Sequence, residues 1–350
     1  MVFSYYLYKL PYTLCWHILK LANKLSGTVF YCGEPLDHYI FEPVNKHLDK
    51  VTYVTDNPEV KSFLQQQGIP YQTMPVFPKA VIMARHSTYK FPCHSIIKIG
   101  LRHGAYHFKR MTSATNYNQF DLYLMTSIAD VKAGEKLGID CAKAIGFPKL
   151  DPALNGTYNQ EYLTKLKSSL PINEEKPTLL FTSTYDTSGM SGITEWYDKL
   201  SMFTEKYNVL VTLHPWVSPR YKTIIENTQN VHLINANNVV PYIMLADAVI
   251  GDNSSILAEA CALDKPMVTF TTAKAKRTLD EIESLLTNIS LRITSSKELE
   301  QSIQQALSNP LELRNQRKDA NILMFDNLDG NAGKRAAQQI IKLLIASEVL

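Results

Sequence analysis

The segment from residue 245 to residue 261 carries the clearest fold signal in this chain. It reads LADAVIGDNSSILAEAC, in which Asp252 closes a short apolar run and Ser254 and Ser255 precede a helical pattern. A buried strand that passes directly into a helix is the repeating unit of a parallel α/β sheet. The segment therefore predicts a strand over 248–250 and a helix over 254–261 within a doubly wound domain.

The same alternation of strand and helix runs through most of the chain. In the first half it predicts strands over 28–32, 51–55, 80–84, 96–101, 122–125 and 142–145, and helices over 57–67 and 128–137. In the second half it predicts further strands over 178–182, 209–213, 231–234 and 267–270, and helices over 194–206, 240–245 and 278–286. This pattern predicts two doubly wound parallel-sheet domains that face each other across a cleft.

Composition suggests where the domains begin and end. Residues 154–177 are polar and contain Gly156, Pro171 and Pro177, which is typical of a linker. The tail from Lys297 predicts three helices with breaks near Pro310 and Gly330. We expect an amphipathic helix over 1–25, a first Rossmann-like domain over 26–153, a linker over 154–177, a second Rossmann-like domain over 178–330 and a C-terminal helix over 331–350.

The overall composition excludes several classes of protein. The 350 residues include 36 Lys and Arg against 33 Asp and Glu, and 45% are hydrophobic, which is ordinary for a globular protein. A disordered chain or a multi-pass membrane protein would differ in composition, and a nucleic-acid binder would show a concentrated basic stripe. The five cysteines are scattered and form no CxxC pair, so we expect reduced thiols rather than a disulfide framework or a zinc ribbon.

The first 25 residues contain six aromatic side chains, three lysines and no acidic residue. From Pro11 onward, Leu14, Ile18, Leu21 and Leu25 fall on one helical face. Lysines interrupt the segment too often for it to cross a bilayer. It could lie flat on an anionic membrane, or it could pack on the core of its own domain.

The start of the predicted helix at Ser254 is a candidate phosphate site. Backbone N–H groups at a helix start, together with the hydroxyls of Ser254 and Ser255, suit a phosphate group. Glu259 lies four residues after Ser255, on the same helix face, where its carboxylate could accept hydrogen bonds from a ribose. Serine and asparagine also cap many helices without binding a ligand, so a simple N-cap is the alternative.

Two histidines follow predicted strands. The segment IGLRHGAYHFKR (99–110) places His103 after a strand, where it could act as a general base near neutral pH. Gly104 would let the backbone approach a ligand, and Lys109 and Arg110 could balance phosphate charge. The segment VTLHP (211–215) places His214 in the same way. Histidines that serve only as hydrogen-bond partners are the alternative in both cases.

Two weaker segments also follow strands. In AIGFPKLD (144–151), Lys149 could reach a phosphate, whereas Asp151 could simply cap the next helix. The hydroxyl-rich turn TSTY (182–185) contains Thr184 and would lie at the same edge as His214 and Ser254.

Taken in order, these segments resemble the CDP-glycerol glycerophosphotransferase family of teichoic-acid and capsule synthesis. That family has a Trp-His-Gly-Thr-Pro motif followed by Lys, then Gly-x-Pro-Arg-x-Asp, a Pro-Thr-Trp-Arg turn, His-Pro, and Asp-x-Ser-Ser-x-x-x-Glu/Asp. The matching segments in this chain are His103-Gly104, Gly146 to Asp151, Ser183 to Tyr185, His214-Pro215 and Asp252 to Glu259.

The resemblance implies a GT-B fold and transfer of glycerol phosphate, or a related polyol phosphate, from a CDP-linked donor to a hydroxyl of a lipid-linked or polymeric acceptor. It implies peripheral association with the cytoplasmic face of the cell membrane. It also implies that His103 is the base. His214, Ser254 and Ser255 would bind the pyrophosphate, Glu259 would hold the ribose, and Gly104, Lys149 and Thr184 would join the donor site.

Several positions depart from the family motifs. Arg102 stands in place of Trp, Ala105-Tyr106 in place of Thr-Pro, Lys149 in place of Arg, and Asp186 in place of the Arg of the turn. A nucleotide-sugar glycosyltransferase, a nucleotide-sugar 2-epimerase and a non-catalytic membrane scaffold of the same fold therefore stay open as alternatives. The chain has no Asp-x-Asp motif, which gives little support to a metal-bridged donor. We expect no cofactor besides the CDP-linked donor substrate, and the sequence leaves the metal requirement open.

Overall fold

A computed structural model of the chain describes residues 3–49, 51–105, 111–273, 279 and 281–348. These residues form two compact units. Residues 3–104, 111–151 and 329–348 belong to the first unit, whereas residues 105 and 152–328 belong to the second. The C-terminal segment therefore returns to the first unit, and the predicted linker is part of the second.

Each unit is built on a parallel sheet. The first has seven strands in the order β3-β2-β1-β4-β5-β6-β7, and the second has six in the order β10-β9-β8-β11-β12-β13. The strands are β1 Ser26–Tyr31, β2 Thr52–Thr55, β3 Tyr71–Thr73, β4 Pro78–Met83, β5 Ile97–Leu101, β6 Leu122–Met125, β7 Ala142–Ala144, β8 Thr178–Ser183, β9 Asn208–Leu213, β10 Val231–Leu233, β11 Ala248–Gly251, β12 Met267–Phe270 and β13 Leu291–Ile293. The prediction of two doubly wound parallel sheets is confirmed.

Helices and short turns connect these strands. The α-helices are α1 Phe3–Leu21, α2 Pro35–Asn45, α3 Pro58–Gln66, α4 Ala114–Tyr117, α5 Ile128–Lys136, α6 Asp151–Leu154, α7 Gln160–Ser168, α8 Ile193–Trp196, α9 Pro219–Glu226, α10 Val240–Leu245, α11 Ile256–Ala262, α12 Ile282–Ile289, α13 Leu299–Ser308, α14 Arg314–Phe325 and α15 Ala332–Ala346. The three helices predicted for the tail are α13, α14 and α15, and the breaks between them lie where Pro310 and Gly330 were expected to place them.

The strands of the first sheet are apolar on both faces. Phe30 packs into one core with Phe41 of α2 and Ile340 of α15. Its neighbours in the strand, Val29 and Tyr31, pack into a second core on the opposite face. Because successive side chains of a strand point to opposite faces, a continuous apolar run is what a sheet covered on both sides requires.

Some predicted elements differ from the observed ones. The helix predicted over 194–206 is replaced by α8 and a 3₁₀ turn, Leu200–Phe203, because this segment buries Trp196 and Phe203 through two short turns. The edge strands β3 and β13 were not predicted. The helix predicted over 278–286 is observed as α12, and residues 278 and 280 lie outside the described residues.

The N-terminal helix begins eight residues before Pro11, which therefore lies inside the helix and not in its first turn. Tyr12 and Trp16 are buried, and their side chains donate hydrogen bonds to the carbonyl oxygens of Val76 (2.6 Å) and Pro78 (2.8 Å). Exposed apolar side chains lie elsewhere on α1, with 55% to 86% of their surface accessible: Leu7, Leu10, Leu14, Ile18 and Leu21.

No helix among the described residues is both long enough and apolar enough to cross a membrane. The exposed leucines lie on the same helix as Tyr12 and Trp16, whose hydrogen bonds hold α1 on the first unit.

The C-terminal helix α15 is held to the first unit at its start. The carboxylate of Asp151 accepts hydrogen bonds from the backbone N–H groups of Ala332 (3.1 Å) and Gly333 (2.7 Å). A Cβ atom at Gly333 would lie 2.4 Å from the carbonyl oxygen of Pro43, so only glycine allows α15 to approach α2 this closely. Asp151 therefore caps a distant helix, and the expectation that it caps the next helix in the chain is corrected.

Candidate functional site

His103 follows β5 by two residues and is exposed. The strand before it carries Gly100, where a Cβ atom would lie 2.3 Å from the ring of Tyr123. Glycine is required there because the aromatic ring of β6 lies directly against the backbone of β5. The tight packing of β5 against β6 therefore fixes the end of β5, and His103 follows this end by two residues.

The ring of His103 is oriented by the end of β4. Its Nδ1 lies 3.1 Å from the carbonyl oxygen of Ala84. A carbonyl oxygen can only accept, so Nδ1 carries the proton and the lone pair lies on Nε2. This is the tautomer that a general base needs.

Arg102, next to His103, is held in a polar network inside the first unit. Its Nε lies 3.5 Å from the carboxylate of Asp130, which is fully buried, and one of its terminal nitrogens donates to the hydroxyl of Tyr117 (3.0 Å). Burial lowers the pKa of Arg102, but Asp130, Tyr117 and Tyr123 together raise it above its usual value. The arginine that replaces the family's tryptophan thus has a structural role beside His103.

The remaining predicted residues of the first unit lie in different settings. Lys149 is buried within the 3₁₀ turn Pro148–Leu150, whereas Gly104 is half-buried. Lys109 and Arg110 lie outside the described residues.

The second unit gathers its candidate residues at one edge of its sheet. Strands β9, β8 and β11 are adjacent, and they end directly before His214, Thr184 and Asp252. Because the strand order reverses between β8 and β11, this edge is the switch point at which ligands of open α/β sheets bind. The structure therefore brings these three predicted segments together.

Asp252 is the centre of this edge. Its carboxylate accepts from the backbone N–H of Thr184 (3.0 Å), from the hydroxyl of Thr184 (2.9 Å) and from the N–H of Gly192 (2.9 Å). The carboxylate is fully buried, and burial raises its pKa to about 6 against the opposing effect of these hydrogen bonds. The sequence motif predicts no role for Asp252, because the groups that bond to its carboxylate are remote in the sequence.

The residues after Asp252 turn into α11. The helix begins at Ile256, two residues later than predicted, with Ser255 at its N-cap position. Ser254 is buried, and its hydroxyl accepts a long hydrogen bond from the N–H of Ile256 (3.4 Å). Glu259 is also buried and lies on α11, one turn after Ser255.

His214 lies in an aromatic cluster after β9. Its Nδ1 accepts a hydrogen bond from the backbone N–H of Trp216 (3.2 Å), so its proton lies on Nε2. The ring of Tyr185 lies 5.0 Å from that of His214, and Trp216 is 66% exposed. The tautomer of His214 is therefore the opposite of that of His103 and suits donation to an anionic oxygen.

Asp186, which stands where the family has an arginine, fixes this cluster. Its carboxylate accepts hydrogen bonds from the backbone N–H (2.9 Å) and the hydroxyl (2.6 Å) of Ser218. Burial raises the pKa of Asp186, but these hydrogen bonds outweigh burial and hold the pKa below its usual value. The aspartate at this position therefore joins the loop after β8 to the loop after β9, whereas the family's arginine would place a cation there.

Buried polar atoms without hydrogen-bond partners among the described residues lie at the same edge. They include the hydroxyl of Ser183, at the end of β8, and the side-chain oxygen of Asn253. Such groups are rare in folded proteins and call for a ligand, a water or an ion. Within the described residues no group of three or more His, Cys, Asp or Glu side chains could hold a metal ion.

Two doubly wound parallel sheets, the second with polar side chains at its switch point, define an α/β protein of GT-B-like architecture. The chain belongs to the CDP-glycerol:poly(glycerophosphate) glycerophosphotransferase family, whose sequence pattern matches residues 103–342. The match begins at His103 and includes every predicted site residue of the second unit. The resemblance inferred from the motifs is confirmed.

Two curated relatives come from Staphylococcus aureus. The chain is 26% identical over 132 residues to the teichoic acid ribitol-phosphate polymerase TarK, and 24% identical over 200 residues to the polymerase TarL. These alignments include 35% and 54% of this chain, but only 26% and 34% of the relatives. The chain thus matches about a third or less of each relative's length.

Solved structures show the same fold. A structure of the wall teichoic acid polymerase TagF, from a soak with CDPG, has a TM-score of 0.71 at 15% identity and covers 97% of this chain and 98% of that one. A UDP-GlcNAc 2-epimerase from Neisseria meningitidis has a TM-score of 0.60 at 15% identity and covers 90% and 99%. At this level of identity the likeness extends to the fold alone.

Proposed function

We propose that this chain transfers glycerol phosphate, or a related polyol phosphate, from a CDP-linked donor to a hydroxyl of a lipid-linked or polymeric acceptor in the synthesis of a cell-surface polymer. Membership of the glycerophosphotransferase family supports this activity. The observation that carries the proposal for this chain is the convergence of His214, Thr184 and Asp252 at the switch point of the second sheet.

In this proposal, His103 removes the proton of the acceptor hydroxyl. The lone pair on Nε2 takes the proton while the Nδ1–H stays bonded to the carbonyl of Ala84. The acceptor oxygen then forms a bond to the phosphorus that carries the polyol. The bond between this phosphorus and the bridging oxygen breaks, and CMP leaves with the electron pair. The net result is a new phosphodiester, CMP and one proton on His103.

The second unit would hold the donor. The Nε2–H of His214 and the hydroxyls of Ser254 and Ser255 are donors of the kind that stabilise the charge of a leaving phosphate. Thr184 contributes by fixing Asp252, since its own hydroxyl donates to that carboxylate.

The nucleoside would be held by Glu259, whose carboxylate can accept hydrogen bonds from both ribose hydroxyls. Its place on α11, one turn beyond Ser255, supports this role. In this proposal, Gly104 and Lys149 of the first unit also bind the CDP-linked substrate. Lys149 would add positive charge that favours the diphosphate.

The protein would act at the cytoplasmic face of the membrane, bound to an anionic surface. The exposed leucines of α1 and the exposed Lys20 and Lys24 support this proposal. Leucines enter the boundary between headgroups and acyl chains, and each lysine near an anionic surface adds about 1 kcal/mol. Tyr12 and Trp16 would keep the catalytic unit attached to this helix.

A panel of donors tests the proposed reaction. The full chain is incubated with CDP-glycerol, CDP-ribitol and UDP-sugars, with and without acceptor, and the release of CMP or UDP is measured. We expect CMP release from a CDP-polyol that depends on the acceptor. UDP release would favour a glycosyltransferase, and interconversion of UDP-sugars without acceptor would favour an epimerase. No turnover with any donor would favour a non-catalytic scaffold.

A further inference from the structure

The carbonyl oxygen that orients His103 lies just beyond the paired part of β4. The strand ends at Met83, which pairs with Gly100 of β5, and the carbonyl belongs to the next residue, Ala84. Its oxygen lies 3.1 Å from Nδ1 of His103. Ala84 shares one planar peptide unit with Arg85, so the direction of this carbonyl is coupled to the placement of Arg85.

The guanidinium group of Arg85 is held by two carboxylates. Its Nε donates to the carboxylate of Asp37 (3.0 Å), and one of its terminal nitrogens lies 2.6 Å from the carboxylate of Glu34. The side chain of Asp37 is buried, whereas those of Arg85 and Glu34 are partly exposed. A planar guanidinium that is bound at two of its nitrogen atoms is fixed in direction as well as in position.

Asp37, in the first turn of α2, also binds the end of β1. Its second carboxylate oxygen accepts hydrogen bonds from the backbone N–H groups of Gly33 (2.9 Å) and Glu34 (3.0 Å). Burial raises the pKa of Asp37 against the opposing effect of Arg85 and these N–H groups. The carbonyl of Gly33 accepts from the side-chain amide of Asn57, which follows β2 (2.9 Å). One buried carboxylate therefore joins the loops that follow β1 and β4.

The backbone around the peptide unit of Ala84 and Arg85 is fixed as well. Ala84 is fully buried, and the carbonyl of Arg85 accepts a hydrogen bond from the N–H of Ser87 (2.7 Å). The peptide unit therefore has little freedom to turn while the side chain of Arg85 stays bound to Asp37. Release of that side chain would let the carbonyl of Ala84 move away from His103.

We propose that Arg85 and Asp37 are positioning residues for His103. Through the peptide unit of Ala84, they hold the acceptor that keeps the proton on Nδ1 and the lone pair on Nε2. A histidine that loses such an acceptor populates both tautomers, and the tautomer with a proton on Nε2 cannot take a proton there. This inference rests on the proposed function, because the tautomer affects transfer only if His103 is the base.

Asp37→Asn is the first test variant. The asparagine oxygen can still accept from the backbone N–H groups, but its NH₂ group cannot accept from Arg85. No buried charge is left without a partner, because Arg85 is partly exposed and keeps Glu34. The double variant Asp37→Asn with Arg85→Gln repeats the test without the cation.

Asp329→Asn is the control. It removes the carboxylate partner of Arg335, an arginine of the same unit with an exposure similar to that of Arg85. Arg335 also donates to a backbone carbonyl, that of Ile145, which lies after β7. The control therefore breaks a comparable ion pair at a carbonyl that does not contact His103.

Nitrogen-15 NMR of the histidine side chains reads the tautomer without turnover. Spectra are recorded at about pH 8, where an ordinary imidazole is neutral, and His103 is assigned with His103→Gln. We expect the proton on Nδ1 in the wild type and in Asp329→Asn, and both tautomers in the two test variants. A wild-type His103 with its proton on Nε2, or test variants that keep the wild-type tautomer, would overturn the proposal.

Kinetics separate this inference from the proposed reaction. In both test variants the kcat for acceptor-dependent CMP release should fall at least about tenfold, because general-base catalysis supplies about 10²- to 10⁴-fold and depends on orientation. The acceptor KM and the Kd for CDP should stay within a few-fold, and Asp329→Asn should keep the wild-type kcat.

An unchanged kcat in the test variants of an active enzyme would contradict the positioning role alone. Absence of CMP release from every donor would instead count against the transferase proposal. In that case the NMR experiment would still decide whether Arg85 and Asp37 set the tautomer of His103.

Discussion

Asp252 accepts hydrogen bonds from both the backbone N–H and the hydroxyl of Thr184, a residue 68 positions earlier in the chain. The same carboxylate accepts from the N–H of Gly192. One buried side chain therefore fixes the loops that follow β8 and β11 at the switch point of the second sheet. The raised pKa of this carboxyl and the proposed donor site beside it can each be tested.

Stability should depend on pH through Asp252. Burial raises the pKa of this carboxyl from its usual 3.8 to about 6, so between these values the folded protein binds more protons than the unfolded chain. Its contribution therefore makes the free energy of unfolding rise by about 3 kcal/mol as the pH falls through this window. Urea unfolding of the wild type and Asp252→Asn, measured from about pH 4 to 7, should show that the variant lacks this component.

Asp186→Asn is the control for this experiment. The pKa of Asp186 is lowered, so its carboxyl stays ionised across the window and its removal should leave the pH dependence in place. An Asp252→Asn variant with the wild-type pH dependence would show that Asp252 is not the titrating group.

Removal of Arg102 should destabilise the first unit strongly. Arg102→Leu leaves the fully buried carboxylate of Asp130 without its cation, which costs about 3–5 kcal/mol. The double variant with Asp130→Leu should lose much less than the sum of the single variants. Urea unfolding of the four proteins in a double-mutant cycle measures this coupling.

The partly exposed ion pair of Arg314 with Asp264 provides the comparison, because Asp264 keeps its second partner Arg317 and Arg314→Leu should cost less than about 1 kcal/mol. Additive effects of the Arg102 and Asp130 substitutions would mean that the two side chains do not stabilise each other.

Donor affinity should depend on Glu259. Glu259→Gln keeps the shape of the side chain but removes the charge that strengthens hydrogen bonds to ribose, so the Kd for CDP should rise about 10- to 100-fold. Isothermal titration calorimetry measures this change. Glu226→Gln, at a partly exposed ion pair of α9, should bind CDP like the wild type. Equal affinity of Glu259→Gln and the wild type would remove Glu259 from the ribose site.

Membrane binding should depend on the exposed face of α1. The triple substitution of Leu10, Leu14 and Ile18 by serine should abolish flotation with anionic vesicles while the Tm stays within a few degrees, because these side chains bury little surface in the protein. Leu311→Ser combined with Ile322→Ser removes exposed apolar side chains elsewhere and should float normally. Flotation of the triple variant at the wild-type level would mean that α1 does not anchor the protein.

The sequence predicted the central elements better than the edges. The strands β6 and β12 and the helix α10 agree with prediction to the residue, because each is a compact apolar run with clear boundaries. The edge strands β3 and β13 were missed, whereas the equally short edge strands β7 and β10 were predicted. Three residues of mixed exposure form a pattern too short to separate a strand from a loop.

The positions of the candidate residues at strand ends could be predicted from the sequence, but the contacts between them could not. His214, Thr184 and Ser254 could be placed at strand ends, because a parallel sheet brings such ends to one edge. The role of Asp252 and the bond between Asp186 and Ser218 depend on loop conformations that no local pattern encodes. The tautomers of His103 and His214 likewise follow only from the backbone groups that contact them.

Substitution of His103 tests the account most directly. Acceptor-dependent CMP release from the preferred CDP-polyol is measured for the wild type, for His103→Ala and for His47→Ala, an exposed histidine near the end of α2. We predict that His103→Ala lowers the rate about 10²- to 10⁴-fold at unchanged affinity for CDP, and that His47→Ala keeps the wild-type rate. A His103→Ala protein with a rate within a few-fold of the wild type would contradict the account.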